Sequence, residues 1–137
     1  MNIHELKEEK QQKYNKLLND CNVFWAFNNE QFEEGKAKNP LEDGDKYVQI
    51  FGGGIMPMSK VQALKDGGKA IEKWYREELK KEKNLRRDNI VYELGNHEAW
   101  YTHDIESTMD TLGPDYTAKE VWKVFYEEKE KQMELRG

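Results

Sequence analysis

The sequence predicts a helix-rich α+β fold, with helices packed on a small two- or three-stranded antiparallel sheet. Three observations lead there. Apolar residues recur near the 3.6-residue period over several long stretches, which is the helical signature. Two short runs, Val23–Phe27 and Tyr47–Phe51, are aromatic and β-branched and read as strands. Leu, Ile, Val and Phe make up only about a fifth of the chain, a level at which globularity comes into doubt. Four Trp, seven Tyr and five Phe answer that doubt, because aromatic side chains bury roughly 150–250 Å² each. At 137 residues the chain is one domain's worth, residues 1–137.

The elements follow in order. Asn2 and Glu5 stand in capping-box spacing, and Ile3, Leu6, Tyr14, Leu17, Leu18 and Cys21 form the stripe of a first helix. Its middle, Lys7 to Lys16, is polar on nearly every face, which predicts an exposed first half. After the Val23–Phe27 strand, Asn28 or Asn29 caps a short helix through Phe32 that stops near Gly35 and at the latest by Asn39-Pro40. A turn at Glu42–Asp45 leads to the Tyr47–Phe51 strand, and the two strands are expected to pair. Gly52-Gly53-Gly54 and Ile55–Met58 lead into a helix capped by Ser59 with Gln62. The Gly67-Gly68 pair inside it either breaks it or marks close packing, since each glycine costs about 1 kcal/mol there. A third long helix is predicted over Asp88–Trp100, with Ile90, Leu94, His97 and Tyr101 on one face. A short piece from Asp104 stops at Gly113-Pro114. Thr117 with Glu120 opens a terminal helix, whose charged end from Glu127 to Arg136 is expected to fray.

Several function classes fall away. No stretch approaches the roughly 20 apolar residues that span a bilayer, so no membrane partner is expected. The first residues lack the apolar core of a secretory signal. The lone Cys21 fits a reducing compartment, and the cytoplasm is the expected location. The basic stretch Lys80–Arg87 is interrupted by acids, so direct nucleic-acid binding is weakly supported. Cys21 beside Asp20 is a poor nucleophile, and Ser59 and Ser107 lack a nucleophile elbow.

Charge is distributed in steps. Residues 1–68 carry −2, residues 69–87 carry +4, residues 88–116 carry −7 and residues 117–137 carry 0. Segment 88–116 holds Asp88, Glu93, Glu98, Asp104, Glu106, Asp110 and Asp115 and no Lys or Arg. In one reading the basic run Lys69–Arg87 neutralises these acids internally, or both are merely solvated. In a second, the acids with Trp100, Tyr101 and Tyr116 form a surface for a basic partner. In a third, Glu93, His97, Glu98 and His103, with Asp104, hold a metal. Glu93 and His97 share a helix face at i, i+4, but no second histidine completes the helical zinc signature. A histidine hydrogen-bonded at the edge of the core is the simpler account of His97. No cofactor is predicted, and a divalent metal, including oxygen-coordinated Mg²⁺ or Mn²⁺, stays open. The glycine run before Ser59-Lys60 suggests an anion cradle at a helix N-terminus or, more simply, a flexible strand-to-helix connection. It matches neither a P-loop nor a dinucleotide fingerprint.

Phe24-Trp25-Ala26-Phe27, Glu30-Gln31-Phe32-Glu33-Glu34-Gly35, Glu93-Leu94-Gly95-Asn96-His97-Glu98, Thr102-His103-Asp104 and Thr108-Met109-Asp110-Thr111-Leu112-Gly113 occur in this order. Over residues 23–113 the chain thereby resembles small uncharacterised proteins of phages and mobile elements. That resemblance brings no activity, but it implies an accessory protein that inhibits a host defence system or modifies a host machine. The expected function is a non-enzymatic inhibitor of a host protein or protein–nucleic acid complex, counter-defence and anti-CRISPR-like in character. The expected contact surface is Asn96, His97, Glu98, Trp100, Tyr101, Asp104 and Asp110 with Gly52, Gly53 and Gly54. The alternative is a metal- or nucleotide-binding protein or small enzyme using the Glu93/His97/Glu98 cluster.

Overall fold

The computed structural model describes residues 1–136, which hold seven α-helices and one two-stranded antiparallel sheet. The fold is therefore the helix-rich α+β type that the periodicity predicts. The chain divides into two compact units, one built on Ile3–Glu77 and one from Glu78 onward. No helix among the described residues is long and apolar enough to cross a membrane.

In the first unit, α1 (Ile3–Asp20) lies along the middle of α3 (Val61–Lys81). Their contacts run in opposite directions, since Lys7 reaches Tyr75, Tyr14 reaches Glu72 and Leu17 reaches Gly67. The polar middle of α1 is exposed on one side only: Glu8, Gln11, Gln12, Asn15 and Lys16 face solvent, whereas Lys7, Lys10, Lys13 and Tyr14 are half-buried. The ammonium groups of Lys10 and Lys13 sit 4.1 Å and 4.5 Å from the ring centres of Tyr75 and Trp74. Lys7 Nζ donates to the Tyr75 hydroxyl at 3.0 Å. Long lysine stems cover apolar surface while their charges stay wet, and aromatic faces attract the ammonium. A pattern of apolar residues alone cannot see such packing. Tyr14 donates to Glu72 Oε1, and burial, then this bond, raises its pKa well above the ordinary phenol value. Gly67 is the close-packing glycine, because a Cβ there would lie 2.4 Å from Leu17 Cδ1.

The expected strand at Val23–Phe27 is reduced to one bridge, Phe24 with Ile55. The sheet instead joins β1 (Tyr47–Gln49) to β2 (Ile55–Pro57) in the register Val48 to Met56. The glycine run thus closes a hairpin, a tighter and more local solution than pairing two distant runs. α2 (Asn29–Lys38) continues through Gly35 to Lys38. Asn28 Oδ1 caps it by accepting from Gln31 N at 2.8 Å. Gly35 is needed for packing, since a Cβ there would enter the Phe24 ring at 2.2 Å. The rings of Phe24, Phe32 and Tyr47 meet in tilted and edge-on pairs beside it. Ser59 does not cap α3. Its hydroxyl donates to Asp45 Oδ2, a 3-10 turn spans Met58–Lys60, and α3 starts at Val61.

In the second unit, α4 (Lys83–Asn96), α5 (Ala99–Thr102), α6 (Glu106–Leu112) and α7 (Ala118–Arg136) enclose the core. That core holds Ile90, Leu94, Trp100, Ile105, Tyr116, Val121 and Phe125. The single helix expected over Asp88–Trp100 is broken after Asn96. His97 N–H turns back to the carbonyls of Glu93 and Gly95, and Glu98 adopts left-handed φ 57°. This turn carries Trp100 inward, where it stacks on Phe125 with ring centres 5.3 Å apart. The end of α7 remains helical through Arg136 rather than fraying. Glu127 and Glu128 near that end accept from Arg87 at 2.7 Å and 2.9 Å.

Candidate functional site

One face of α4 carries Arg86, Asn89, Glu93 and His97, three and then four residues apart, so they share a row on the helix. Asn89 is buried and donates from Nδ2 to the Tyr116 hydroxyl at 3.0 Å. Glu93 is buried too. Its Oε2 lies 3.4 Å from His97 Nε2 and accepts from Asn96 Nδ2 at 3.5 Å. His97 Nε2 is also 2.9 Å from the Thr111 hydroxyl, and Thr108 donates to the Glu93 carbonyl at 3.4 Å. This row ties α4 to α6 by polar contacts, the arrangement expected of a histidine held at the edge of a core.

His103 parts from that row. It closes α5 in the left-handed conformation, with φ 57°. Its ring packs 5.1 Å from the ring centres of both Trp122 and Phe125, and its Nε2 lies 3.2 Å from the Tyr126 hydroxyl. Glu98 points to solvent. The four residues read as metal ligands therefore do not converge, and no group of three His, Cys, Asp or Glu among the described residues is placed to hold a metal ion.

The acidic surface is a different matter. Asp88, Glu98, Asp104, Glu106 and Asp110 are all exposed. None of them forms an ion pair with Lys or Arg among the described residues. The arginines nearest in sequence are engaged elsewhere. Arg86 makes a two-pronged pair with Glu120 at 2.7 Å and 2.9 Å, donates to the Asp115 carbonyl and lies 4.0 Å above the Tyr116 ring. Arg87 holds Glu127 and Glu128. The guanidinium of Arg86 keeps the Glu120 carboxyl below the usual range, its hydrogen bonds being the largest cause. Both arginines thus neutralise α7. Sequence proximity could not reveal this, because their partners lie 34 to 41 residues away.

Asn96, Glu98, Tyr101, Asp104 and Asp110 of the expected contact surface are exposed, and His97 is half-buried. Trp100 must be withdrawn from that surface, as must Tyr116. Trp100 is 2% exposed, and its indole N–H has no hydrogen-bond partner among the described residues. The exposed aromatic residues beside the acids are Tyr101 and Tyr126 instead. Tyr126 escaped the sequence reading, because it sits outside the acidic segment on an α7 read mainly for its apolar stripe.

Gly52, Gly53 and Gly54 belong to the first unit. Gly52 and Gly53 take φ 84° and 83°, which ordinary side chains avoid, and Ile50 N donates to the Gly54 carbonyl at 2.8 Å. They are followed by β2 and not by a helix. The anion cradle expected at a helix N-terminus is therefore absent from this position. What the loop presents instead is Phe51, whose ring is fully exposed.

The chain belongs to a family of unknown function, DUF7659, whose model matches residues 6–132. The match runs through both units. No curated protein and no solved structure matches the chain.

Proposed function

We propose that this chain is a non-enzymatic binding protein that captures the basic face of a host macromolecule, a protein or a protein–nucleic acid complex, and blocks it. In this reading it is an accessory protein of a phage or mobile element, and its target belongs to a host defence system. The observation that supports the reading is the uncompensated acidic surface around α5 and α6. Its four exposed carboxylates, Glu98, Asp104, Glu106 and Asp110, lack arginine or lysine partners among the described residues, while Arg86 and Arg87 are committed to α7. Like charges left together repel one another in the free protein, and a basic partner relieves that repulsion and is steered toward it. Tyr101 and Tyr126, 57% and 63% exposed, supply the aromatic contact that such interfaces concentrate their energy on.

The alternative, a metal- or nucleotide-dependent site at Glu93, His97, Glu98 and His103, draws support only from the Glu93–His97 contact. Affinity capture with the tagged full chain, run beside a thermal-shift series with divalent metals and nucleotides, separates the two. The binding reading expects a defined basic partner that elutes with rising salt, and no stabilising ligand. A metal or nucleotide that stabilises the fold, and loses its effect in His97→Ala, would overturn it.

A further inference from the structure

The first unit brings together two runs of chain without charge. In a chain that is 36% charged, residues 21–29 and residues 47–58 contain no Asp, Glu, Lys or Arg. The fold brings these two runs together. Phe24 N donates to the Ile55 carbonyl at 2.9 Å and Ile55 N to the Phe24 carbonyl at 2.8 Å, in antiparallel sense. The chain therefore leaves Phe24 toward the hairpin end of β2, so Trp25 and Phe27 run toward the end that carries Phe51. Trp25 is 47% exposed, Phe27 88% and Phe51 105%. Three glycines follow Phe51, so no neighbouring side chain on that side shields its ring.

We infer that two copies of this chain associate through this aromatic end, with Phe27 and Phe51 of each copy buried against the other. Charge selects the occupant. At a net charge of −5, two copies repel wherever their charged faces meet. The two uncharged runs let them approach with less of that cost, and a two-fold axis sets the same patch on both sides. Area agrees. At roughly 150–250 Å² per aromatic side chain, the three rings expose roughly 500 Å² per copy. Two copies then bury at most about 1,000 Å² through these rings, which sits at the lower bound for a specific interface. The dimer is accordingly weak and concentration-dependent. It does not depend on the acidic surface, which belongs to the second unit.

Sedimentation velocity of the full chain from about 1 μM to about 200 μM, a range that spans a micromolar dissociation constant, tests the inference. The wild type is expected to shift from the mass of one chain toward two. That shift is expected to persist in about 1 M salt, where charge interactions are screened. Phe27→Ser/Phe51→Ser is expected to stay at one chain throughout with an unchanged circular-dichroism spectrum, as is Phe51→Lys alone, which keeps the test open if the double variant unfolds. Tyr101→Ser, in the second unit, is expected to dimerise like the wild type. A wild type that is monomeric at every concentration would overturn the inference. So would a dimer that survives in Phe51→Lys, or a monomer whose aromatic end binds zwitterionic lipid vesicles instead.

Discussion

Neighbouring residues with the same name do different work here. Gly67 and Gly68 both sit inside α3, yet only Gly67 meets another side chain, Leu17, while the space around Gly68 is open. Gly68→Ala is expected to raise stability by about 0.5–1 kcal/mol through helix propensity alone. Gly67→Ala is expected to lower it by about 1–3 kcal/mol, because Leu17 must be pushed off its rotamer. Urea denaturation of the two variants reads both signs. Arg86 and Glu120 give the clearest pH dependence. The Glu120 pKa is held below its ordinary value of 4.5. The stability it contributes is therefore present above that value and lost as pH falls through the lower, folded-state one. Glu120→Gln is expected to unfold at neutral pH more readily than the wild type and to lose less additional stability between about pH 5 and pH 3. Arg86→Ala is expected to cost about 1–2 kcal/mol, since it loses the pair, the Asp115 carbonyl and the packing on Tyr116. Thermal melts across the pH series check both.

At the scale of elements, the hairpin depends on backbone more than on side chains. Nothing crowds Gly52 or Gly53, yet their positive φ makes alanine costly, by about 1 kcal/mol at each position. Gly52→Ala and Gly53→Ala are each expected to lower the melting temperature without altering the core, which chemical-shift mapping confined to residues near the loop would show. The helices were legible in the sequence because their apolar stripes are local. Thr117 is a predicted cap, and its hydroxyl does accept from Glu120 N at 3.2 Å, although the Glu120 carboxylate turns to Arg86 rather than back to Thr117. The strand at Val23–Phe27 was overread, because aromatic runs signal burial or exposure as readily as pairing. The break after Asn96 was missed despite Gly95-Asn96, residues that commonly end helices. Apolar positions beyond them, Trp100 above all, continued the pattern and masked the stop. In the candidate site, the Glu93–His97 contact follows from their spacing. The divergence of His103 toward Trp122 and Tyr126 does not, since it turns on a left-handed residue that no local pattern announces.

For the whole molecule, the charge step at Arg87-Asp88 acquires a structural meaning. The sequence offers three accounts of the acids in residues 88–116: neutralised by the basic run or merely solvated, a surface for a basic partner, or a metal site. The pairing of Arg86 and Arg87 with α7 speaks against neutralisation by those two residues, and whether the exposed acids bind a partner or are only solvated is what a capture experiment decides. Removing exposed charges costs the fold little, apart from the hydrogen bond that Asp104 Oδ1 accepts from Glu106 N at 2.9 Å at the start of α6. The most direct measurement is the affinity of the captured partner for Glu98→Lys/Asp104→Lys/Asp110→Lys against the wild type, by calorimetry at low and at physiological salt. The expected result is affinity weakened about tenfold or more, a shallower salt dependence and a variant that still unfolds cooperatively, its melting temperature lowered no further than the loss of the Asp104–Glu106 hydrogen bond accounts for. Equal affinity in a folded triple variant would contradict the acidic surface as the binding face.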